Sequence, residues 1–235
     1  MNINIYKTKE ELSDNLSDYI INNHMNSSIA ISGGSSPKIL FKKLSEKLKI
    51  KINIDIKFFW VDERCVSPDS EESNYKMTKE NLFRYNIFKP ENIFRIKGEN
   101  DPEKELVEYN RILKKNLKRE NNIPKFDLII LGLGEDGHTA SLFPHEFLKF
   151  RNKEECLIAT HPNSGQKRIS LSEKIINNAN EVIFYVPGSG KKYVVDEIIN
   201  KRGNFNSYPA SYIKPVSGKL SWYLDFDASE MLTKQ

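Results

Sequence analysis

The chain has 235 residues, 38% hydrophobic and 29% charged, and its 36 basic against 32 acidic side chains leave a formal charge of +4. So small and scattered an excess gives no footprint for nucleic acid, and the hydrophobic share suffices for one sizeable core in one α/β domain over 1–235. Cys65 and Cys156 stand far apart without a CxxC partner, which excludes a disulfide framework and favours a reducing compartment.

Strand and helix alternate along the chain. The opening MNINIYKTKEELSDN turns polar too early for a signal peptide, and no apolar run approaches the roughly 18 residues that span a bilayer. A cytoplasmic protein without membrane contact is expected. Residues 8–23 put Leu12, Leu16, Tyr19 and Ile20 on one stripe of a helix. Residues 28–31 read as a short buried strand ending at Gly33-Gly34. Ser36 is placed to cap the next helix, with Pro37 at its first position and Leu40, Leu44 and Leu48 on its buried face. A second core strand over 56–61 ends at Asp62-Glu63-Arg64, and a loop rich in Ser, Pro and Asp follows. Helices are expected over 73–83 and 103–117, and Lys114-Lys115 with Lys118-Arg119 reads as a solvated helix face. Strands follow at 126–131, 156–160 and 182–186, helices near 172–178 and 191–200, then an edge strand over 222–224 and a short final helix. Without repeats or linkers, this alternation predicts an α/β fold: a mainly parallel sheet with helices on both faces, a three-layer sandwich in a single domain.

Several turns carry chemistry. Ser32-Gly33-Gly34-Ser35-Ser36-Pro37 joins a strand to a helix, where glycines admit close approach and unpaired amides at a helix start favour an anion such as phosphate. No Gly-Lys-Ser/Thr follows, so it is not a Walker A loop. Arg168 precedes Ile-Ser-Leu-Ser, and Lys191 opens a helix after the turn Pro187-Gly188-Ser189-Gly190. Either cation alone reads as a surface charge; both gain weight because strands of a parallel sheet deliver their C-terminal turns to one edge. Asp62-Glu63-Arg64 lies at such an edge as well, as an internal salt bridge or as an arginine facing an oxyanion or carboxylate.

The segment 126–144, FDLIILGLGEDGHTASLFP, runs an apolar strand into a Gly-rich turn and sets Asp136 and His138 at its mouth. Imidazole titrates near neutral pH and can take a proton from water, with Asp136 to orient or tune it. His24, His145 and His161 have no comparable setting. The same turn matches G-x-G-x-x-G, yet Glu135 and Asp136 would repel a pyrophosphate and Pro144 interrupts the helix that should receive it. There is no G-x-S-x-G elbow, and no HExxH or CxxC pair supports a metal.

These motifs together resemble the 6-phosphogluconolactonase branch of the glucosamine-6-phosphate isomerase/6-phosphogluconolactonase family. The resemblance runs in order through SGGSSP at 32–37, FFWVDERCV at 58–66, SNY at 73–75 and the 126–144 segment. RISLS at 168–172, VPGSGKK at 186–192, YPAS at 208–211 and WYLDFDAS at 222–229 complete it. The sister deaminases carry DGHIAFNEP and DEY; here Phe143 replaces the glutamate and Arg64 the tyrosine, both departures toward the lactonases. One stretch departs from the family, whose proline-rich run before the arginine is here His161-Pro-Asn-Ser-Gly-Gln-Lys167.

The resemblance implies hydrolysis of 6-phospho-D-glucono-1,5-lactone to 6-phospho-D-gluconate in the oxidative pentose phosphate pathway, with no metal or cofactor. Under it Gly34, Ser35, Arg168 and Lys191 hold the phosphate, Gly33 shapes the loop and Asp62 joins the substrate-binding set. His138 activates water and then protonates the ring oxygen, Arg64 stabilises the oxyanion or new carboxylate, and Asp136 is either catalytic or a cap of the turn. A monomer acting on a small phosphorylated sugar lactone, without nucleic acid, is expected. The rivals are a deaminase or isomerase on the same scaffold and a non-catalytic sugar-phosphate sensor. A sensor would normally append a DNA-binding module, for which the chain has no spare residues.

Overall fold

The computed structural model describes residues 1–150 and 155–232, with backbone alone at 148–150. Polar-apolar alternation at the start forms β1 (Asn2–Tyr6), and Thr8 caps α1 (Lys9–Asn23) by accepting from the Glu11 amide at 3.1 Å. Then come β2 (Ser28–Ile31), α2 (Lys38–Leu48), β3 (Lys57–Trp60), β4 (Asp62–Arg64), α3 (Asn74–Asn81), β5 (Ile93–Phe94) and α4 (Pro102–Asn116). A hairpin of β6 (Lys118–Glu120) and β7 (Ile123–Lys125) turns through Asn121 and Asn122, both in the left-handed region at φ 51° and 63°. The chain continues with β8 (Leu128–Leu131), α5 (Pro144–Phe150), β9 (Cys156–Thr160), β10 (Lys167–Leu171) and α6 (Glu173–Asn177). It ends with β11 (Val182–Val186), α7 (Lys192–Asn200), β12 (Leu220–Asp225) and α8 (Phe226–Ser229).

Seven strands form one parallel sheet in the order β1-β12-β11-β8-β2-β3-β5. Every residue of β2, β8 and β11 is buried, as strands covered on both faces must be. Side chains alternate accordingly: Phe58 meets Phe83 and Phe88 at 5.3 and 4.9 Å, whereas its neighbour Phe59 meets Phe94 and Phe126 at 4.7 and 5.3 Å. One hydrophobic cluster reaches from Leu12 to Ala228.

The strand order has a functional consequence. From β2 the chain builds outward through β3 to β5, then crosses back to β8 and builds the other way through β11 and β12. Between β2 and β8 the winding reverses, so the loops leaving these neighbouring strands diverge and open a crevice at their carboxyl ends.

A second, antiparallel sheet, β4-β10-β9, stands at that same end. Val61 is its hinge: its amide donates to Ile31 at 3.0 Å and its carbonyl accepts from Leu171 at 2.7 Å. Residues 156–160 therefore do not join the parallel sheet, and Asp62–Arg64 is a strand rather than the frayed end of one. Leu220–Asp225 is not an edge either, since β1 covers it; β1 is the edge, with Ile3 and Ile5 exposed. Helix α2 starts at Lys38 behind Pro37 with no side-chain cap, so Ser36 does not cap it, and Lys118-Arg119 lies in the hairpin rather than on a helix.

Candidate active site

The β2 and β8 loops form opposite walls of a cleft of about 460 Å³. Ser32 ties them together, donating through Oγ to the Ile130 carbonyl at 3.0 Å and accepting the Gly132 amide at 3.1 Å. Gly33 is forced by crowding, because a Cβ there would lie 1.9 Å from Asn74 Oδ1, and Gly34 holds φ +85°. Beside them the first turn of α2 keeps amides that no side chain caps, the feature that suits an anion.

On the facing wall Gly137, at φ +77° with Tyr208 filling the space a Cβ would take, turns the chain back so that Gly134 donates to the His138 carbonyl at 2.9 Å. Asp136 Oδ1 accepts the His138 amide at 3.1 Å and contacts ring Nδ1 at 2.5 Å. An ionised carboxylate only accepts, so the ring hydrogen sits on Nδ1 and the Nε2 lone pair is left for the cleft. Burial pushes the Asp136 carboxyl up, but its hydrogen bond and charge interaction with His138 outweigh this and hold it below its ordinary value. The His138 ring leans on the fully buried Phe143, centroids 5.0 Å apart.

The second sheet supplies the cations. In the β4–β10 register Arg64 stands directly opposite Arg168, a like-charge pair that destabilises a sheet unless something anionic is held between them. Arg64 donates to the Glu72 carbonyl at 2.6 Å. Arg168, only 9% exposed, lies 5.5 Å over the Phe143 ring and 4.0 Å from Asp62. The Nε atoms of both arginines are buried without a partner among the described residues. Burial pushes the Arg168 guanidinium down, with Asp62 opposing. Asp62 also accepts from Ser141 Oγ at 2.6 Å, and its carbonyl takes Asn74 Nδ2 at 2.9 Å.

Glu63 has a different task from its neighbours. Its carboxylate accepts the amides of Arg64, Asn74 and Tyr75, each at 2.8 Å, and so closes the start of α3 instead of pairing with Arg64. Burial still pushes its carboxyl up. Lys191 ends a 3₁₀ turn just before α7, with Nζ 4.0 Å from Glu135.

Gly33, Gly34, Ser35, Asp62, Arg64, Asp136, His138, Arg168 and Lys191, the residues singled out in the sequence, all line this one cleft. The reason offered for Arg168 needs correction: it reaches the cleft from an antiparallel strand of the second sheet, not from the C-terminal turn of a parallel one. Asn74 and His161 also line the cleft and went unrecognised. Asn74, 1% exposed with an unpartnered Oδ1, sits within the SNY stretch; His161 reads as solitary because its contact with Phe143 forms only in the folded chain. No helix opens directly from Gly137, α5 starting only at Pro144, so the G-x-G-x-x-G match lacks the adjoining helix a dinucleotide needs. Among the described residues no group of three His, Cys, Asp or Glu side chains converges as a metal site requires.

Known proteins match this chain over most of its length. The family described as glucosamine-6-phosphate isomerases/6-phosphogluconolactonase matches residues 5–222. A 6-phosphogluconolactonase of Aggregatibacter actinomycetemcomitans is 40% identical over 92% of both chains, and one of Haemophilus influenzae is 38% identical over 99% of this chain and 100% of its own. The structure of the Trypanosoma brucei 6-phosphogluconolactonase superposes with a TM-score of 0.86 at 27% identity, covering 99% of this chain and 98% of that one.

Proposed function

The chain belongs to the glucosamine-6-phosphate isomerase/6-phosphogluconolactonase family, and on that premise we propose that its cleft hydrolyses 6-phospho-D-glucono-1,5-lactone to 6-phospho-D-gluconate, with His138 as the base. One observation carries the assignment: a histidine locked by Asp136 with Nε2 left for the cleft shares that cleft with two arginines set opposite each other in the β4–β10 register.

The phosphate is taken by Arg168, Lys191 and the amides around Gly34 and Ser35, beside the uncapped start of α2. That anchor brings C1 of the lactone to His138. Nε2 removes a proton from water as the water oxygen bonds to C1, and Asp136 stabilises the imidazolium that forms. The carbonyl oxygen becomes an oxyanion beside Arg64. Collapse re-forms the carbonyl and breaks the bond from C1 to the ring oxygen, which takes the proton back from Nε2. Asp62 lies under this arrangement and holds Ser141, Asn74 and Arg168 in place.

Phe143 supports the lactonase over the deaminase reading, because the position against His138 holds an apolar ring and no carboxylate. We take the enzyme to act as a monomer on a free small phosphorylated sugar lactone. The test is to compare the phosphorylated lactone with unphosphorylated glucono-1,5-lactone. Charge-assisted contacts contribute about 1.5–3 kcal/mol each, so losing several should lower kcat/KM by at least about 100-fold. Equal rates would contradict the anchor and the substrate together.

A further inference from the structure

His138 and His161 flank the same buried phenyl ring with opposite hydrogen-bond polarity. Phe143 lies 5.0 Å from His138 and 5.4 Å from His161, the latter edge-on at 90°. At His138 the Nδ1 partner is a carboxylate, which fixes hydrogen on Nδ1. At His161 the Nδ1 partner is the Ser164 backbone amide at 3.2 Å, which can only donate, with Ser164 Oγ at 3.0 Å beside it. The loop is braced for that geometry, since His161 donates its amide to Gln166 at 2.9 Å and accepts from Gly165 at 3.0 Å. A ring that accepts at Nδ1 must, when neutral, carry its hydrogen on Nε2. That Nε2 has no partner among the described residues, and the ring lines the cleft.

We propose that His161 is a substrate-binding residue, held in the Nε2–H tautomer by Ser164 and donating that hydrogen bond to a hydroxyl oxygen of the bound sugar. The assignment rests on the lactonase reading for its ligand, not for its tautomer. The surroundings oppose a second proton. Burial comes first, followed by Arg168 of β10, His138 and Arg64 of β4, while Asp136 alone pulls the other way. A proton on Nδ1 would also confront the Ser164 N–H. The two histidines thus divide the work: one presents a lone pair to water, the other a hydrogen to the sugar. A donor to a non-reacting hydroxyl acts alike in ground and transition states, so its loss belongs in KM and not in kcat.

Nitrogen-15 NMR of histidine-labelled protein tests the tautomer directly. There are four histidines to resolve, and His161→Phe and His138→Gln identify the two that matter. At neutral pH His161 should show hydrogen on Nε2 and a bare Nδ1. Its Nε2–H should shift with 6-phospho-D-gluconate and not with inorganic phosphate. An Nδ1–H tautomer, an imidazolium, or an equal response to phosphate alone would overturn the assignment. In kinetics, His161→Phe keeps the ring contact with Phe143 and should raise KM about tenfold with kcat within about twofold, and His161→Gln should restore most of the loss. An unchanged KM, or a fall in kcat alone, would equally overturn it. A wild type that binds gluconate 6-phosphate without hydrolysing lactone would contradict the lactonase reading, and the NMR would still decide His161.

Discussion

His138 acquires its chemistry from two neighbours of different kinds. Asp136, two residues away, fixes which nitrogen carries hydrogen, and Phe143, five residues on, fixes where the ring lies. Both sit in the local sequence, which is why this half of the site is legible in DGHTASLF. Asp136→Asn replaces the acceptor-only group with an amide that can support the wrong tautomer. We expect kcat to fall on the order of 100-fold with KM nearly unchanged, measured by steady-state hydrolysis of the phosphorylated lactone. The other residues of the cleft were readable only in part. Gly33 announces a tight turn, but nothing local says that the side chain it must clear is Asn74. His161 looked unremarkable for the same reason: Phe143 and Arg168 reach it only through tertiary structure.

At the scale of elements, the alternating apolar segments make the parallel core predictable, whereas the second sheet is not. β4 is three residues long, and its partner β10 lies about a hundred residues away, so neither periodicity nor turn chemistry could pair them. That pairing nonetheless creates the like-charge register of Arg64 and Arg168. A prediction belongs to this element. Arg64→Met removes one of two opposed charges, so the ligand-free variant should melt no lower than wild type. Added 6-phospho-D-gluconate should raise the wild-type Tm by mass action and raise that of the variant by less, since only the contact to the carboxylate end is lost. A variant that melts well below wild type, or keeps the full ligand shift, would show that Arg64 serves the sheet and not the ligand. The same comparison separates Arg64 from Glu63, whose three amide contacts make it part of α3's foundation.

Across the whole molecule, winding reversal sets the cleft at the carboxyl end of the sheet, and a separate cluster secures the opposite end. Just before β11, Glu181 accepts from Tyr19 of α1 at 2.8 and 2.9 Å and lies 3.5 Å from His24. Burial raises the Glu181 carboxyl, yet His24 and Tyr19 together bring it below its ordinary value. A lowered carboxyl stabilises the fold above the unfolded value and loses that contribution as pH falls through the folded one. Tyr19→Phe should therefore cost about 1.5–3 kcal/mol at neutral pH and move the acid limb of a thermal-stability profile to higher pH. At the same time kcat/KM should stay unchanged, since the cluster lies remote from the cleft. The central claim concerns that cleft, and the most direct measurement is acid release from freshly generated 6-phospho-D-glucono-1,5-lactone against its spontaneous background. Wild type should run far above background and His138→Ala should lose about 100- to 10,000-fold of kcat. A wild type no faster than background, or a His138→Ala variant as fast as wild type, would contradict the account.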